Sequence, residues 1–511
     1  MEQKNVTIPV WDVTPSARTY PMLTADVTVD VAVVGAGITG ITAAYLLAAA
    51  GQKVAVIEAF AVGGGSTGHA TGNLYATVGE GLDTIKSKHG DDVMKEVVRS
   101  RESAIGFIEQ QVDNLRIDCE FTRVPWHLFS TEGDKQIDDE IGREFDAAGS
   151  ANLNVTDRIP PEFPVTQVTK ITSVLEQAQF NPLKYVRGLA AAIDSSYCQI
   201  FENSPVVSTE DGETCIAKTS RGTVYAKHLI MATHSPKGIY AVHAAMEAKR
   251  EYVVAAKLRK PLPPHGIYWH RFGDQLYSIR PYRCEAGDFL LVLGESHLVG
   301  APADNREKIE HVEQYLYKHF DVAEVAYRWG AQNYKSADGL PYIGTSPAQK
   351  NTFIATGYKA DGLVYGTLAG QLISDAILSR ENPWAALYDP KRFTPIASAK
   401  QVLKENVTVA SYLLKDYLFY GEVKEIKEIK AGEGKTLTLD GEKVAVHRDV
   451  AGQVHVVSAV CTHMGCILHW NNAEKSWDCP CHGSRFAING AVLEGPAIKP
   501  LSRPRIAGVQ Q

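Results

Sequence analysis

The stretch Val29-Asp-Val-Ala-Val-Val-Gly35-Ala-Gly37-Ile-Thr-Gly40, continued by a helix-forming run to Gly51 and by Lys53-Val-Ala-Val-Ile57-Glu58, decides the fold. Val29–Val34 has the near-continuous apolar character of a buried parallel strand. The glycines then fall at the spacing G-x-G-x-x-G, and an acid follows the last of them by eighteen residues. A lone glycine triplet is a weak signal. One that follows a strand, opens a helix and leads to a second strand ending in an acid is the full dinucleotide-binding fingerprint. Gly35 permits the tight turn, Gly37 lets backbone approach a pyrophosphate, and Gly40 lets helix and strand pack closely. The pyrophosphate is expected on the helix N-terminus, and the ribose hydroxyls on Glu58. The predicted fold class is therefore α/β, with a doubly wound parallel sheet.

Working outward, Gly63-Gly-Gly-Ser66-Thr67-Gly68-His69-Ala70-Thr71-Gly72 follows the second strand directly. A second small-residue loop, Gly357-Tyr-Lys-Ala-Asp-Gly362, leads into a helix through Gly366. No other complete G-x-G-x-x-G is present, so a second nucleotide domain for NAD(P)H is not expected, and FAD is the expected cofactor. With Asn181-Pro182-Leu183, Ala232-Thr233 and Asp338-Gly-Leu-Pro-Tyr-Ile-Gly344 in that order, these residues resemble the D-amino-acid oxidase/glycine oxidase/sarcosine oxidase superfamily over residues 27–380. The resemblance implies a doubly wound FAD domain joined to a β-sheet-rich substrate domain. It places Ser66, Thr67, His69, Asp338, Gly357 and Gly362 around FAD, with Val206 on the adenine side. It also aims the N-terminus of the helix starting near Asp361 at the flavin N1–C2 carbonyl, where the helix dipole favours negative charge. Gly65–Ala70 is similar to a dimethylglycine/sarcosine dehydrogenase stretch whose His is bonded to the flavin 8α carbon. Because Thr71 and Asn73 differ there, His69 is read as a non-covalent flavin contact, with covalent attachment as the alternative.

Alternating runs at Tyr252–Leu258, Gln275–Arg280 and Asp288–Leu293 predict an antiparallel sheet. In the resembled superfamily the substrate lies between such a sheet and the flavin face. Arg280 is then a candidate bidentate clamp for a carboxylate. Trp329 and Gln332 are candidates to border the isoalloxazine, and His297 is a polar pocket candidate.

The eight cysteines are distributed unevenly. Cys119, Cys198, Cys215 and Cys284 stand singly and read as buried thiols. The others form Cys461-Thr-His463-Met-Gly-Cys466 and Cys479-Pro-Cys481-His482-Gly-Ser484. Two Cys and two His from two loops hold either zinc or a [2Fe–2S] cluster. A plain zinc site gives no reason for Cys466 and Cys481. Both boxes resemble the Rieske domain of the cytochrome bc type, and Gly495-Pro496-Ala497 resembles its cluster-covering proline loop. The resemblance implies Cys461 and Cys479 on one iron, His463 and His482 on the other, and a Cys466–Cys481 disulfide, an unusual bond for a reducing cytoplasm. Rieske potentials span about −150 to +300 mV, against about −400 mV for plant-type ferredoxins. Ser484 occupies the position that hydrogen-bonds a bridging sulfide. Phe486 stands where high-potential members carry Tyr, so an intermediate potential is expected. The electron path is expected through His463 or His482, the ligands nearest the surface in that fold.

The chain has 511 residues, 45% apolar and 22% charged, which predicts several soluble domains. A net charge of −7 offers no basic stripe for nucleic acid. No apolar run reaches the roughly eighteen residues of a membrane span, and Met1–Thr14 carries no secretory apolar region, so the expected location is cytoplasmic. The expected organisation is a lead-in over 1–26 and a FAD-dependent oxidoreductase over 27–390, followed by a helical connector over 391–424 and an all-β Rieske domain over 425–511. Within 27–390, residues 27–100, 170–237 and 336–390 are assigned to FAD binding, and 101–169 and 238–335 to the substrate domain.

The expected activity is a flavin-dependent dehydrogenation of an amine or amino-acid-like substrate, with electrons leaving through the cluster to a soluble acceptor. A reductase feeding a partner oxygenase and a non-enzymatic redox sensor are the rival readings. Flavin bleaching by a metabolite excludes the sensor; bleaching only by NADPH favours the reductase.

Overall fold

The computed structural model describes residues 8–13, 18–193, 195–238, 241–301, 304–392 and 425–504. The expected connector lies outside the described residues beyond Arg392. Among the described residues, no helix is long and apolar enough to cross a membrane.

The strand Val27–Val34 is central in an eight-stranded sheet. It runs parallel to Val54–Ile57 on one side and to Thr223–Met231 on the other. Cys198–Phe201 and Thr352–Thr356 extend the parallel core outward. All four residues of Val54–Ile57 are buried, as a strand covered on both faces requires. The helix Ile38–Ala49 packs on this sheet beside the helix Gly362–Ile377. The two helices cross closely because Gly366 and Gly370 carry no side chain. A Cβ at Gly366 would lie 2.7 Å from Ile38 Cγ2, and one at Gly370 2.7 Å from Thr42 Cβ.

A nine-stranded sheet forms the second layer. Its antiparallel centre comprises Val322–Ser336, Met246–Leu258, Gly287–Leu298 and Gln275–Cys284, paired in that order. The strand Lys170–Gln179 belongs here, paired with Thr122–Ser130, and Asn73–Leu74 joins at its edge. The sequence reading places Lys170–Gln179 and Asn73–Leu74 in the FAD-binding part. Gln179 fastens these strands within the sheet: its Nε2 donates to Asn73 Oδ1 at 3.0 Å and to the Gly266 carbonyl, just before the strand Ile267–Phe272, at 2.9 Å. The lead-in is also anchored, since Trp11 is buried and its Nε1 donates to the Ala70 carbonyl at 2.8 Å.

Residues 425–504 fold as two small antiparallel sheets, one of three strands (Gly434–Leu439, Glu442–Arg448, Val454–Ser458) and one of four (His469–Asn471, Ser476–Asp478, Arg485–Ala487, Val492–Glu494). The second packs against the nine-stranded sheet. Arg250, on Met246–Leu258, makes a bidentate ion pair with Glu474 and lies 3.4 Å from Glu494. Arg485 completes the cluster, 2.9 Å from Glu494, 3.0 Å from Asp478 and 3.2 Å from Glu474.

Candidate functional site: a dinucleotide cavity against a cluster-binding domain

A cavity of about 1440 Å³ opens at the C-terminal ends of the parallel strands. It exceeds the roughly 300–1,000 Å³ of pockets for drug-sized ligands, which leaves room for a dinucleotide and a small substrate. Gly35 turns the chain at φ +105°, and its Cβ would lie 2.5 Å from the Ala232 carbonyl oxygen. A Cβ at Gly40 would lie 1.9 Å from the Gly35 carbonyl oxygen, so the closeness of turn and helix depends on bare backbone. Gly37, the residue before the helix Ile38–Ala49, supplies no side-chain cap. Gly37, Ile38 and Thr39 at the helix start line the cavity, a location that favours a phosphate. Thr67 Oγ1 accepts from Ile38 N at 3.0 Å and so holds the loop carrying Ser66, Thr67 and His69 against the helix start.

Glu58 Oε2 accepts from Ala36 N at 2.7 Å and Oε1 from Phe60 N at 2.9 Å. Burial pushes its carboxyl up, and these backbone donors and nearby Lys237 oppose that shift. Lys237 also lines the cavity and was not anticipated from sequence. It interacts electrostatically with Glu58. Burial pushes its ammonium down, with Glu58 opposing.

A second helix start meets the cavity at Gly362 and Leu363. Asp361, which precedes it, is turned away: Oδ1 accepts from Tyr75 Oη at 2.6 Å and Oδ2 from Gly79 N at 3.0 Å. The helix start is thus left free for a ligand's electronegative edge.

Gly35, Gly37, Glu58, Ser66, Thr67, His69, Val206, Gly362 and Gln332 all line the cavity. Gly40 acts behind it through packing. Three expected residues take other places. Asp338 pairs with Arg392 at 3.2 Å and accepts from Leu340 N at 3.1 Å, fixing a turn behind the cavity. Gly357 is not in the wall, but its φ of +80° makes the turn that brings Tyr358 and Lys359 into it. Arg280, expected as a carboxylate clamp, is buried outside the cavity. Its guanidinium donates to the carbonyls of Thr71 and Phe180 and stacks on Trp11 and Tyr282. Its two terminal nitrogens are thus taken up by carbonyls that sequence could not place, while Nε is buried without a partner among the described residues. Trp329 and His297 are likewise outside the wall. Trp329 is buried and donates to the His69 carbonyl at 2.9 Å, and His297 Nδ1 donates to the Glu295 carbonyl at 2.7 Å.

The charged groups that do line the substrate side come from neighbouring positions. Lys359 donates to the Gly79 carbonyl and pairs with Glu80 at 3.2 Å. Glu251 is pushed up by burial, while Ser296 and Asn333 hydrogen-bond it. Local sequence gave no signal for either.

In the C-terminal domain, Cys466 and Cys481 form a disulfide, 1.99 Å between sulfurs. Cys461 and Cys479 are free, buried and in mutual hydrogen-bonding contact, and Ser484 also hydrogen-bonds Cys461. The His463 and His482 rings stand 4.9 Å apart. His463 Nε2 donates to the Gly238 carbonyl at 3.2 Å. A carbonyl only accepts, so the ring proton sits on Nε2 and the Nδ1 lone pair is free. The Nδ1 atoms of both histidines are buried without a hydrogen-bond partner. Buried polar atoms are ordinarily satisfied. Two orphaned imidazole nitrogens beside two free thiols are the donor set of a histidine-ligated [2Fe–2S] cluster.

One expectation changes. His463 does not face outward: it is 8% exposed, and His243 of the flavin part packs 5.1 Å from its ring and 6.2 Å from that of His482. His463 is thus covered by the chain's own residues, whereas His482 stays part-exposed.

Comparison with known proteins agrees with this geometry. The family model for FAD dependent oxidoreductases matches residues 30–376, and that for the Rieske [2Fe-2S] domain matches 420–505. The Rieske 2Fe-2S iron-sulfur protein YhfW of Bacillus subtilis (strain 168) is 32% identical over 501 residues, covering 96% of each chain. Gamma-glutamylputrescine oxidoreductase of Escherichia coli (strain K12) is 25% identical over 70% of this chain and 85% of its own length. The crystal structure of glycine oxidase from Geobacillus kaustophilus superposes with a TM-score of 0.59 at 19% identity, covering 72% of this chain and 98% of that one, which shows a shared fold. The chain is a member of the FAD-dependent oxidoreductase family and carries a C-terminal Rieske domain for a [2Fe–2S] cluster.

Proposed function

We propose that this protein oxidises a small amine or amino-acid-like substrate at the flavin and passes the electrons to its own Rieske cluster, and from there to a soluble one-electron acceptor. The observation that carries the reading is the shared wall. Gly35 and Thr67 on the flavin side line the same cavity as Glu494 and Gly495 of the cluster-binding domain. Bound FAD supplies two-electron oxidation of a C–N bond, and the cluster accepts electrons singly.

The chain's own residues supply position and charge. Glu251, in the cavity wall, is the carboxylate offered to an ammonium group: Lys359 and Lys249 act on it electrostatically, but Lys359 is itself paired with Glu80, as is Lys335. Asn333 and the rim of Trp269 bound the same space. Relatives support the substrate class: one is named for gamma-glutamylputrescine, and the fold is shared with a glycine oxidase. The covered position of His463 supports internal delivery, because an outside donor has no direct approach to it.

The test is an anaerobic screen of amines and amino acids with both chromophores followed together. The expected result is flavin bleaching by a member of the class, followed by a reduced-cluster EPR signal. Bleaching by NADPH alone transfers the reading to a reductase, and no bleaching by any metabolite leaves the sensor.

A further inference from the structure

Gln332 and Tyr334 stand two residues apart on the strand Val322–Ser336, and both line the FAD cavity. Side chains at i and i+2 of a strand share a face, and here that face meets the cluster-binding domain. Gln332 Nε2 donates to the Gly483 carbonyl at 2.8 Å and to Tyr334 Oη at 2.9 Å. Tyr334 Oη donates to the Gly495 carbonyl at 2.9 Å. Gly483 directly follows the ligand His482. Gly495 opens the proline loop, whose Ala497 N–H donates to Ser484 Oγ at 3.0 Å, and Ser484 in turn hydrogen-bonds Cys461. Each bond therefore lands on a segment that holds or covers the cluster.

The fit is close. A Cβ at Gly483 would lie 2.4 Å from Ala248 Cβ and 2.9 Å from Gln332 Nε2. On the flavin side, the His234 ring lies 4.8 Å from that of Tyr334 and hydrogen-bonds Ser66 at 2.9 Å. The cross-domain ion pairs of Arg250 end on Glu474 and Glu494, outside both ligand loops.

We propose that Tyr334 and Gln332 are the bridge through which electrons pass from the flavin to the cluster, acting as positioning residues that keep an unbroken set of covalent and hydrogen bonds from the wall of the FAD cavity to the cluster loops. The inference rests on the flavin-to-cluster direction proposed above. Electronic coupling falls steeply at each through-space gap, and from the cavity wall to the cluster loops this route has none; the Gly238–His463 bond is likewise direct, but this route reaches both the loop after His482 and the loop over the cluster. The balance is two one-electron steps. Each takes one electron from the two-electron-reduced flavin and turns one ferric iron ferrous. A one-electron acceptor such as ferricyanide then removes that electron, and the flavin's protons go to solvent.

The test uses the full chain with both cofactors, as wild type, Tyr334→Phe, Gln332→Met and the double variant. A light flash with a sacrificial donor reduces the flavin without any substrate, and the flavin and cluster bands are followed in time. The cluster-reduction rate, normalised to flavin reduced, is expected to fall severalfold in each single variant and further in the double. The cluster midpoint potential, from an EPR-monitored titration, is expected to stay at the wild-type value, and the thermal unfolding midpoint to fall by only the few degrees that a lost buried hydrogen bond costs, equally for Tyr334→Phe and Gln332→Met, which separates a broken bridge from a loosened fold. A double variant as fast as wild type overturns the proposal and hands the role to the Gly238–His463 contact. Wild type that passes no electron after the flash overturns both readings. Flash transfer that works while no amine bleaches the flavin overturns the substrate reading and leaves the bridge standing.

Discussion

The nucleotide turn at Gly35–Gly40 and the cluster loops at 461–466 and 479–484 hold their cofactors by contrasting means. The first offers a tight backbone turn and a helix start, and it works because side chains are missing. The second works because particular side chains are present, two thiols and two imidazoles on loops stapled by Cys466–Cys481. A backbone site fails when anything is added, and a ligand site when anything is removed. The largest effects follow. Gly40→Ala, whose new Cβ would lie 1.9 Å from the Gly35 carbonyl oxygen, is expected to abolish flavin binding while the cluster's visible bands persist. Cys479→Ser is expected to do the reverse, with iron lost and flavin retained. Absorbance and iron analysis of the purified variants check both, and loss of both cofactors in either variant would break the contrast.

The same difference explains what could be read in the sequence. Glycine spacing after a strand and Cys/His identity in two boxes are local signals, so the two cofactors and the two fold classes were legible. What lies between them was not. Arg280 has the local context of a pocket arginine, yet its strand faces the 71–72 loop and its charge is spent on carbonyls. The true cross-domain arginine, Arg250, has its partner Glu474 separated by 224 residues, and no window of sequence links them. Gln332 was singled out as a flavin neighbour and does line the cavity, but its contact with Gly483 depends on how two domains dock. Strand alternation predicts that a residue points out of a sheet; it does not say what the sheet meets.

The docking surface is a third kind of construction, a buried ion cluster, and its failure should be intermediate in size. Arg250 and Glu474 are 2% and 5% exposed. Removing one partner of such a pair leaves an uncompensated buried charge and costs about 3–5 kcal/mol. Arg250→Ala is expected to lower the urea midpoint of the flavin–Rieske unit accordingly, whereas exposed Lys218→Ala, which loses only its pair with Glu210, should change it little. Acid should act at the same place. Burial alone would raise the Glu474 carboxyl, but Arg250 and Arg485 hold it down at about 2. An unfolded glutamate titrates at about 4.3, so over the intervening range the unfolded chain binds the extra proton. The stabilisation is complete above the unfolded value and is lost as pH falls toward the folded one. Urea midpoints at pH 7 and pH 3 should differ less in Glu474→Gln than in wild type. An equal pH dependence would remove Glu474 from the account of acid loosening.

The smallest expected effect is at His69, where the two cofactor-holding strategies meet in one loop. Its ring is in the cavity wall, like that of a side-chain ligand, but Nδ1 donates to the Gly65 carbonyl at 2.9 Å within its own short helix. A carbonyl partner fixes the ring as a spacer along the flavin-side loop, and the main hold on that loop comes from Thr67 on Ile38 N and from Trp329 on the His69 carbonyl. Neither depends on the imidazole. His69→Ala is therefore expected to keep its flavin, with affinity weakened only modestly, by the loss of one partly exposed hydrogen bond worth about 0.5–1.5 kcal/mol. Acid precipitation of the wild type should release all flavin into the supernatant. Flavin that stays with the pellet in wild type and is released in His69→Ala would show a covalent bond, and the flavin half of the molecule would then hold its cofactor by a side chain after all.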